Sequence, residues 1–369
     1  MIAFFHQNEV ETQGGVERFL STLTGSGSAG GVVLVTESKD GAGPNRLSVD
    51  LAGSRLFPKW LRFALGVTFN VRRIRRELAA RGVSVLEFSR AEYAFFAWMF
   101  PGRKVFTFHG IGPLVLAHPI KRAIHNSACY LLPLIASGLQ VVGRDNSAIP
   151  RPVRRWFDGR IVQIDAWYDD RFRPSPLPQV DGAPFVVFYS GRLTKEKNPE
   201  LLFEIIRQAR ARLPFPVEFR YFGANADQFE AAGLGDDVIC EGLLGPDQLA
   251  AAIGRCHAGV LCSKTEGSPF AMIEALACGR CFVASPIQGL LETYRNVRGA
   301  FFAERLDVEA FLAAITRARE FLLSGGSATS IAKDVEGRSQ ANVTQAVIGG
   351  LRALGEHPTQ ALIAVSRRV

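Results

Sequence analysis

The stretch FVVFYSGRLTKEKNPELLFEII, residues 185–206, decides the fold that we expect of this chain. It begins as an apolar run typical of a buried strand, turns at Gly191, and continues with apolar residues at helical spacing. Asn198 is a favourable N-cap and Pro199 a favourable first helical residue. A strand that passes through a short loop into a helix is the repeating unit of a parallel sheet with crossover helices.

The same alternation of apolar runs and helical patterns occurs along most of the chain. The runs are 2–5, 32–35, 83–88, 104–108, 185–189, 217–222, 259–262 and 281–284. They fall into two groups, separated by the segment 168–184, whose four prolines predict a linker. We therefore expect an α/β protein with two doubly wound, Rossmann-like domains facing a cleft.

The two groups of strands set the expected domain boundaries. An N-terminal Rossmann-like domain spans 1–167, and a C-terminal Rossmann-like domain spans 185–340 beyond the linker 168–184. The remaining residues, 341–369, form a helical segment that we expect to pack back on the N-terminal domain. Ligands of such domains bind at the carboxyl ends of the strands, so the chemistry is expected in strand-to-helix loops.

Composition and charge exclude several classes of protein. The chain has 369 residues, of which 47% are hydrophobic and 21% charged, which excludes a disordered tail, a collagen-like repeat and a disulfide-stapled miniprotein. A formal charge of +8 and a pI of about 9.4 favour an anionic partner. Charge alone does not distinguish a phosphorylated metabolite from a membrane surface or a nucleic acid.

The cysteines and the longest uncharged run indicate in which cellular compartment the protein resides. Six cysteines are too few and too unevenly spread for a disulfide framework, so a reducing, cytoplasmic setting fits better. Cys278 and Cys281 form a C-x-x-C, but no second such pair completes a zinc site, and we expect ordinary buried thiols. The first 15 residues carry no basic leader. The uncharged run 126–143 predicts a core helix running into a strand rather than a membrane span.

Residues 25–30, GSGSAG, match the G-x-G-x-x-G motif of dinucleotide-binding proteins. That motif has to follow a strand and open a helix, because the pyrophosphate rests on the helix N-terminus. Here it follows a helical pattern at 16–23 and precedes the strand at 32–35. We interpret it as a flexible turn.

The loop after the strand 185–189 brings two cations to the carboxyl end of a strand. Gly191 lets the backbone turn sharply, Arg192 offers a planar fork of donors, and Lys197 offers a point charge. Together these side chains suit a diphosphate. Taken alone, a solvated basic loop is the simpler interpretation.

The second loop, SKTEGSPFAMIE at 263–274, follows the strand 259–262. Ser268 as N-cap and Pro269 in the first turn predict a helix that ends at Cys278. The unpaired amides and the positive end of the helix dipole form a seat for an anion at its start.

Two carboxylates flank this expected anion seat. Glu266 lies just before the helix, and Glu274 lies about a turn and a half inside it. A carboxylate beside a phosphate is tolerated when its oxygens accept hydroxyl protons, as a ribose or a sugar provides. The alternative for Glu274 is a surface position, but its apolar neighbours indicate partial burial.

These motifs resemble the donor site of family 4 retaining glycosyltransferases with the GT-B fold, the glycosyl transferases group 1. The residues that carry the resemblance are Gly191, Arg192, Lys197, Glu266, Glu274 and the ALACG run at 275–279. GGVER at 14–18 is similar to the first glycine-rich loop of that family. The resemblance is strong from 185 to 292 and weaker before.

The resemblance implies transfer with retention from a nucleoside-diphosphate sugar, held mainly by the C-terminal domain, with the acceptor on the N-terminal side. Arg192 and Lys197 would hold the diphosphate and stabilise the charge that grows on it, so that no metal is required. Ser268 and the backbone amides of Phe270 and Ala271 would complete the phosphate seat.

The resemblance also assigns roles to the carboxylates and to the N-terminal domain. Glu274 would accept from the ribose hydroxyls, and Glu266 would touch the donor sugar or the reacting face. Gly14 and Gly15 would let the backbone approach the donor phosphates and the acceptor. His109 stands where the family often has a histidine near the donor sugar; a histidine bonded within its own turn is the equal alternative.

The chain departs from the family pattern at the domain junction. It reads DAWYD at 165–169 where an Asn-Gly followed by an acidic residue is usual. We therefore expect the turn and its contacts to differ there. Cys281 replaces a proline that is frequent in relatives, and we expect no structural consequence.

The segment 51–85 carries eight Arg or Lys and one acidic residue. Phe, Trp and Leu residues are interleaved with these charges, which suits an interfacial helix on anionic lipid. The equal alternative is a core-packed helix with a solvated basic face.

The sequence therefore predicts a cytoplasmic, metal-independent retaining glycosyltransferase that uses a nucleotide sugar and needs no separate cofactor. The expected acceptor is lipid-linked or a saccharide, in assembly of a surface polysaccharide or glycolipid. An anionic membrane surface is a further expected partner, through 51–85, and nucleic acid is not. The rivals are a sugar-nucleotide epimerase or phosphorylase on the same fold, and a non-catalytic basic protein that binds lipid or nucleic acid.

Overall fold

The computed structural model describes residues 1–8, 20, 31–37, 45–52, 56–109, 117–144 and 146–356. The chain divides into two compact units. The first contains residues 1–164 and 341–369, and the second contains residues 165–340. Each unit is built around one parallel sheet.

Within the described residues, seven strands form the sheet of the first unit, in the order β3-β2-β1-β4-β5-β6-β7. They are β1 (Ile2–His6), β2 (Val32–Thr36), β3 (Arg46–Ser48), β4 (Val85–Phe88), β5 (Arg103–Phe108), β6 (Gly138–Val142) and β7 (Ile161–Ile164). All neighbours pair in parallel. The order reverses between β1 and β4, so the carboxyl ends of these strands form the switch point of the sheet.

The helices of the first unit pack on this sheet through apolar faces. They are α1 (Lys59–Phe69), α2 (Val71–Ala80), a 3-10 helix (Ala91–Tyr93), α3 (Ala94–Ala97), α4 (Pro119–Ile135) and α5 (Arg151–Trp156). Aromatic rings fill the core: Phe88 stacks on Phe5 at 4.7 Å and on Phe106 at 5.0 Å between ring centroids. The prediction of a helix running into a strand at 126–143 is confirmed by α4 and β6.

The basic segment 51–85 contains α1 and α2. In α1, Phe63 and Val67 are completely buried, and in α2 Ile74 is completely buried. The exposed side of α2 carries cations, namely Arg72, Arg75 and Arg76. Helix α2 is therefore a core-packed helix with a solvated basic face.

The sheet of the second unit contains six described strands, in the order β10-β9-β8-β11-β12-β13. They are β8 (Phe185–Ser190), β9 (Val217–Phe222), β10 (Val238–Cys240), β11 (Ala258–Leu261), β12 (Cys281–Ala284) and β13 (Ala300–Phe302). All pair in parallel. The switch point lies between β8 and β11, whose following loops are the two that the sequence singles out.

The helices of the second unit complete the doubly wound pattern. They are α6 (Pro199–Arg212), α7 (Asp227–Ala231), α8 (Pro246–Gly254), α9 (Phe270–Ala277), α10 (Gln288–Tyr294), α11 (Val308–Leu323) and α12 (Ala328–Lys333), with 3-10 helices at Lys195–Lys197 and Glu336–Arg338. The α/β class and the two Rossmann-like units are confirmed. Sequence patterns missed β3, β7, β10 and β13, which are the short edge strands of the two sheets and lack a neighbour on one side.

The last described helix, α13 (Gln340–Glu356), returns to the first unit. Leu354 packs so closely over Gly138 of β6 that a Cβ on that glycine would lie 2.7 Å from the leucine Cδ2. Val347 and Leu351 of the same helix are buried. Residues 357–369 of the expected helical segment lie outside the described residues.

The proline-rich segment 168–184 is bound along the second unit, which begins at Asp165. Its backbone carbonyls accept from two buried side chains of that unit. Arg280 Nη2 donates to Ser175 O at 3.1 Å, and His257 Nε2 donates to Gln179 O at 3.1 Å. The segment that we expected to act as a linker is thus held by side-chain donors.

Candidate active site

The first loop of the candidate site leaves the end of β8 at Gly191. This glycine has φ 141°, in the region that favours glycine over other residues. Its N–H donates to Phe222 O at 3.3 Å, and its carbonyl accepts from the Tyr221 hydroxyl at 3.0 Å. The turn after β8 is therefore fixed to the end of the neighbouring strand β9.

A second glycine, Gly223, stands against this turn. A Cβ at Gly223 would lie 2.2 Å from the Tyr221 hydroxyl oxygen and 2.8 Å from Gly191 O. The same hydroxyl accepts from Asn225 N at 3.2 Å, so Tyr221 bridges the loops after β8 and β9. Sequence reasoning missed Gly223, although a glycine directly after an apolar strand was the available signal.

The rest of the first loop forms the 3-10 helix Lys195–Lys197 and enters α6 at Pro199. Asn198 precedes the helix as predicted, but its side chain makes no capping hydrogen bond. The residue has φ 57° and is buried, and in this left-handed conformation its backbone turns the chain into the helix. The expected side-chain cap is therefore wrong, whereas the helix start is confirmed.

The second loop, after β11, lies directly against the first. Lys264 N donates to Glu196 O at 2.9 Å, and Cys262 Sγ lies 3.6 Å from the carbonyl oxygen of Lys197. These contacts join the loops that follow the two strands flanking the switch point. The structure thus brings together the two motifs that the sequence places about 70 residues apart.

An ion pair between Lys197 and Glu266 lies between the loops. Lys197 Nζ donates to Glu266 Oε1, and Ser263 Oγ donates to the same oxygen at 2.7 Å. The Glu266 side chain is 9% exposed and that of Lys197 27%. The carboxylate is thus neutralised by its partner, a pairing that the sequence did not indicate.

Helix α9 begins one residue later than expected. Its first residue is Phe270 and its N-cap is Pro269, so Ser268 is not the N-cap. The Ser268 hydroxyl instead accepts from Ala166 N at 2.5 Å, because the junction segment runs past this point. The amides of Phe270 and Ala271 stand at the first turn of α9, where the positive end of the helix dipole favours an anion.

The junction at 165–169 contacts the start of α9 by a second route. The Trp167 ring meets the Phe270 ring edge to face, with 5.4 Å between centroids. Nearby, the guanidinium of Arg338 lies 4.6 Å from the centroid of the Tyr294 ring. Burial raises the pKa of Tyr294 to about 12. The segment that departs from the family pattern therefore packs against the expected phosphate seat.

The other expected site residues are placed as follows. Glu274 lies within α9 with only 2% of its surface exposed, which confirms the expected burial. Arg192 is exposed at the start of its loop, and among the described residues it has no ion-pair partner. His109 lies at the carboxyl end of β5 in the first unit. Gly14 and Gly15, like the GSGSAG run, lie outside the described residues.

The switch point of the first sheet holds a pair that sequence reasoning missed. His6 ends β1, and its Nδ1 lies 2.9 Å from Ser89 Oγ, just after β4. Ser89 Oγ donates to Phe5 O at 2.9 Å. Both residues directly follow apolar runs, which was the available signal.

A groove of about 820 Å³ opens elsewhere on the second unit, between 169–176 and α8. Its charges pair with one another: Arg171 lies 3.3 Å from Asp169 and 3.8 Å from Asp247. None of the catalytic or donor-binding residues expected from the sequence lines it. Across the described chain, no three His, Cys, Asp or Glu side chains are grouped to hold a metal ion.

Comparison with known proteins gives one family match, which lies in the second unit. Residues 184–320 match the family model of the glycosyl transferases group 1. None of the curated proteins matches the sequence.

Solved structures resemble almost the whole chain. Sucrose-phosphate synthase from Thermosynechococcus elongatus is 18% identical, with a TM-score of 0.73 over 96% of this chain and 98% of that one. Anabaena HepE is 16% identical, with a TM-score of 0.71 over 95% and 99%. WaaG, a glycosyltransferase involved in lipopolysaccharide biosynthesis, is 12% identical, with a TM-score of 0.69 over 97% and 100%. This likeness shows the fold, which is GT-B, and residues 184–320 of the same fold match the glycosyl transferases group 1.

Proposed function

We propose that this glycosyltransferase moves a sugar from a nucleoside-diphosphate sugar to an acceptor hydroxyl, with retention of anomeric configuration. One observation carries the proposal. The loops after β8 and β11 are joined at the switch point of the second sheet by the Lys197–Glu266 pair, next to the first amides of α9. Cations, a carboxylate and helix amides in one place suit a diphosphate attached to a polyhydroxylated group.

Two cations take different roles in this proposal. Arg192 is exposed and keeps its fork of donors available for the diphosphate. Lys197 is paired with Glu266, so its ammonium group is oriented and partly neutralised before the donor binds. Glu266 in turn offers its second oxygen to a sugar hydroxyl, and the buried Glu274 accepts from the ribose.

In the proposed transfer step, negative charge develops on the diphosphate next to Arg192, Lys197 and the first amides of α9. The bond between the sugar C1 and the diphosphate oxygen breaks, and the diphosphate leaves with the electron pair. The acceptor oxygen bonds to C1 from the face that the diphosphate leaves, and its hydroxyl proton passes to the departing diphosphate oxygen. Arg192, Lys197 and the amides of residues 270–271 stabilise the growing negative charge, and the proposal needs no metal for this step.

Similar structures guide the choice of donor and acceptor. HepE has been solved with UDP and with UDP-glucose, so uridine sugars are the first donors to test. WaaG is described as involved in lipopolysaccharide biosynthesis, and WaaB as a lipopolysaccharide outer core galactosyltransferase. We accordingly propose a cytoplasmic enzyme, peripheral on the cytoplasmic face of a membrane, that acts on a saccharide or lipid-linked acceptor of a surface polysaccharide or glycolipid.

The test is transfer itself. The full chain is incubated with nucleoside-diphosphate sugars and a panel of saccharide and lipid-linked acceptors, with and without EDTA, and the product is analysed by proton NMR. We expect a product with the anomeric configuration of the donor, equal rates with EDTA, and loss of turnover in Arg192→Ala. An inverted product contradicts retention, and interconversion of donors without acceptor indicates an epimerase.

A further inference from the structure

Helix α4 presents apolar residues on two opposite faces. One face is buried against the first unit through His125, Ala128, Cys129 and Leu132. His125 fixes this face, since its Nε2 donates to Ala148 O at 2.9 Å and its Nδ1 lies 3.3 Å from Glu92 Oε1. The opposite face should be polar on an ordinary surface helix, and it is not.

Three exposed apolar side chains share the outer face of α4, which we call the outer stripe: Ile120, Ile124 and Leu134. At about 100° per residue, their positions fall within an arc of about 80°. Ile120 is 64% exposed and Leu134 80%. Single exposed apolar residues are common, but several on one face of a helix mark an interaction site, here with Ser127 as the exposed polar residue within the arc.

Helix α3, which packs against α4, adds aromatic residues to the exposed surface. Phe95 and Trp98 are both exposed, and Trp98 Nε1 donates to Phe95 O at 3.0 Å. Tyr130 on α4 is also exposed. Among the described residues, α3 and α4 with Trp98 supply six of the fourteen exposed large apolar side chains, so the exposure is concentrated here.

The charge around this surface has one sign. From 93 to 144 the sequence contains no Asp or Glu, although a chain with 35 acidic residues in 369 would place about five in such a stretch. The same residues contain five cations, and two of them, Lys121 and Arg122, are exposed on the first turn of α4. An anionic surface is therefore attracted to the first turn of α4, beside the outer stripe, and meets no repelling carboxylate from this stretch.

We propose that the outer stripe of α4, with Trp98 and Tyr130, lies in the headgroup region of an anionic lipid membrane. Aliphatic side chains would enter the acyl boundary, aromatic rings would lie at the headgroup level, and Lys121 and Arg122 would reach the phosphates. This contact lies on the surface and does not cross the bilayer. No described helix is both long and apolar enough to cross a membrane.

The proposal moves the expected lipid contact away from 51–85. In that segment Phe63 and Val67 are buried in the core, and α2 exposes arginines. Leu56 and Phe57 are exposed before α1 begins and Phe69 is exposed at its last residue, so these three do not share one helix face. The basic face of α2 supplies long-range attraction, whereas α4 supplies the apolar area that makes binding persist when salt screens the charges. The inference rests on the membrane location proposed above and not on the proposed chemistry, and vesicle binding tests it without any sugar or acceptor.

The experiment is co-sedimentation of the full chain with vesicles of phosphatidylglycerol and phosphatidylcholine, compared with phosphatidylcholine alone, at low and physiological salt. We expect binding to the anionic vesicles at both salt concentrations. The double variant Ile120→Ser/Leu134→Ser should weaken it about tenfold or more, since it removes buried apolar area. The matched control, Leu323→Ser on α11, changes an exposed leucine of the second unit and should bind like the wild type.

Further measurements keep the proposal open to refutation. All variants lie at exposed positions, and thermal melts should show wild-type stability; if the double variant melts early, Ile120→Ser alone replaces it. Wild-type binding in Ile120→Ser/Leu134→Ser, or absence of binding by the wild type, overturns the proposal. A dimer in light scattering that Ile120→Ser/Leu134→Ser converts to a monomer also overturns the proposal, because the outer stripe would then join two copies of the chain. Arg75→Glu/Arg76→Glu should lower binding at low salt only; complete loss in that variant alone also overturns it.

Discussion

Removing the positive charge of Lys197 should expose how much the candidate site depends on the ion pair. In Lys197→Met, Glu266 keeps only the Ser263 hydroxyl among the partners described above, on a side chain that is 9% exposed. We expect a loss of about 1–3 kcal/mol in the free energy of unfolding, between the values for exposed and for buried pairs. Glu266→Gln should cost less than about 1 kcal/mol, because the freed Lys197 reaches water.

The assay for this asymmetry is urea unfolding of the two single variants and the double variant. The difference between the double variant and the sum of the singles gives the coupling free energy of the pair. Equal losses from both single variants, or a coupling of zero, would refute the assignment of a partly buried pair. The control is Lys195→Met, which alters an exposed lysine two residues earlier and should change stability by less than about 0.5 kcal/mol.

The same variants test the function of Lys197. If it stabilises the departing diphosphate, Lys197→Met should lower kcat/KM by about 10²–10³, as the loss of one preorganised donor does. Lys195→Met should keep near wild-type turnover. Equal turnover in both lysine variants would separate the ion pair from catalysis and leave it with a structural role.

Three further outcomes follow from the packing. Burial raises the pKa of Glu87 to about 8, so the native state holds a proton that the unfolded state releases above pH 4.5, and stability falls as pH rises between these values. Glu87→Gln should remove this slope in urea unfolding and stabilise the protein by roughly 3 kcal/mol at pH 7. Gly223→Ala places a Cβ 2.2 Å from the Tyr221 hydroxyl, and should lower the free energy of unfolding by about 1–3 kcal/mol in thermal melts. Ser268→Ala leaves Ala166 N without its acceptor, and should cost about 1–3 kcal/mol in urea unfolding; unchanged stability would remove this contact from the account.

Sequence patterns were sufficient for the long central strands. A parallel strand buried on both faces is apolar throughout, so runs such as 281–284 are visible without any partner. The switch point could also be placed, because the chemistry-bearing loops follow the runs 185–189 and 259–262. Short edge strands such as β3 and β13 carry no such pattern and depend on a neighbour for their pairing.

The contacts within the site could not be predicted in the same way. Lys197 and Glu266 are 69 residues apart, and their pairing depends on how two loops meet. The sequence predicted that the Ser268 hydroxyl caps a helix. It instead accepts a hydrogen bond from the backbone amide of Ala166, which is 102 residues away in the sequence. Helix α4 was expected only as a core helix, since its second apolar face becomes apparent when the first is known to be buried. Tertiary contacts decide these features, and local sequence does not contain them.

The most direct measurement of the central claim is ligand-induced stabilisation. Melting temperatures of the wild type and of Arg192→Ala are compared across UDP, GDP, ADP, CMP and TDP sugars. A nucleotide sugar at about 100 times its Kd stabilises the native state by about 2.7 kcal/mol. If these loops bind the diphosphate, at least one nucleoside-diphosphate sugar should raise the melting temperature of the wild type, and Arg192→Ala should lose this shift. Equal shifts in both proteins, or none with any donor, would contradict a diphosphate site at these loops.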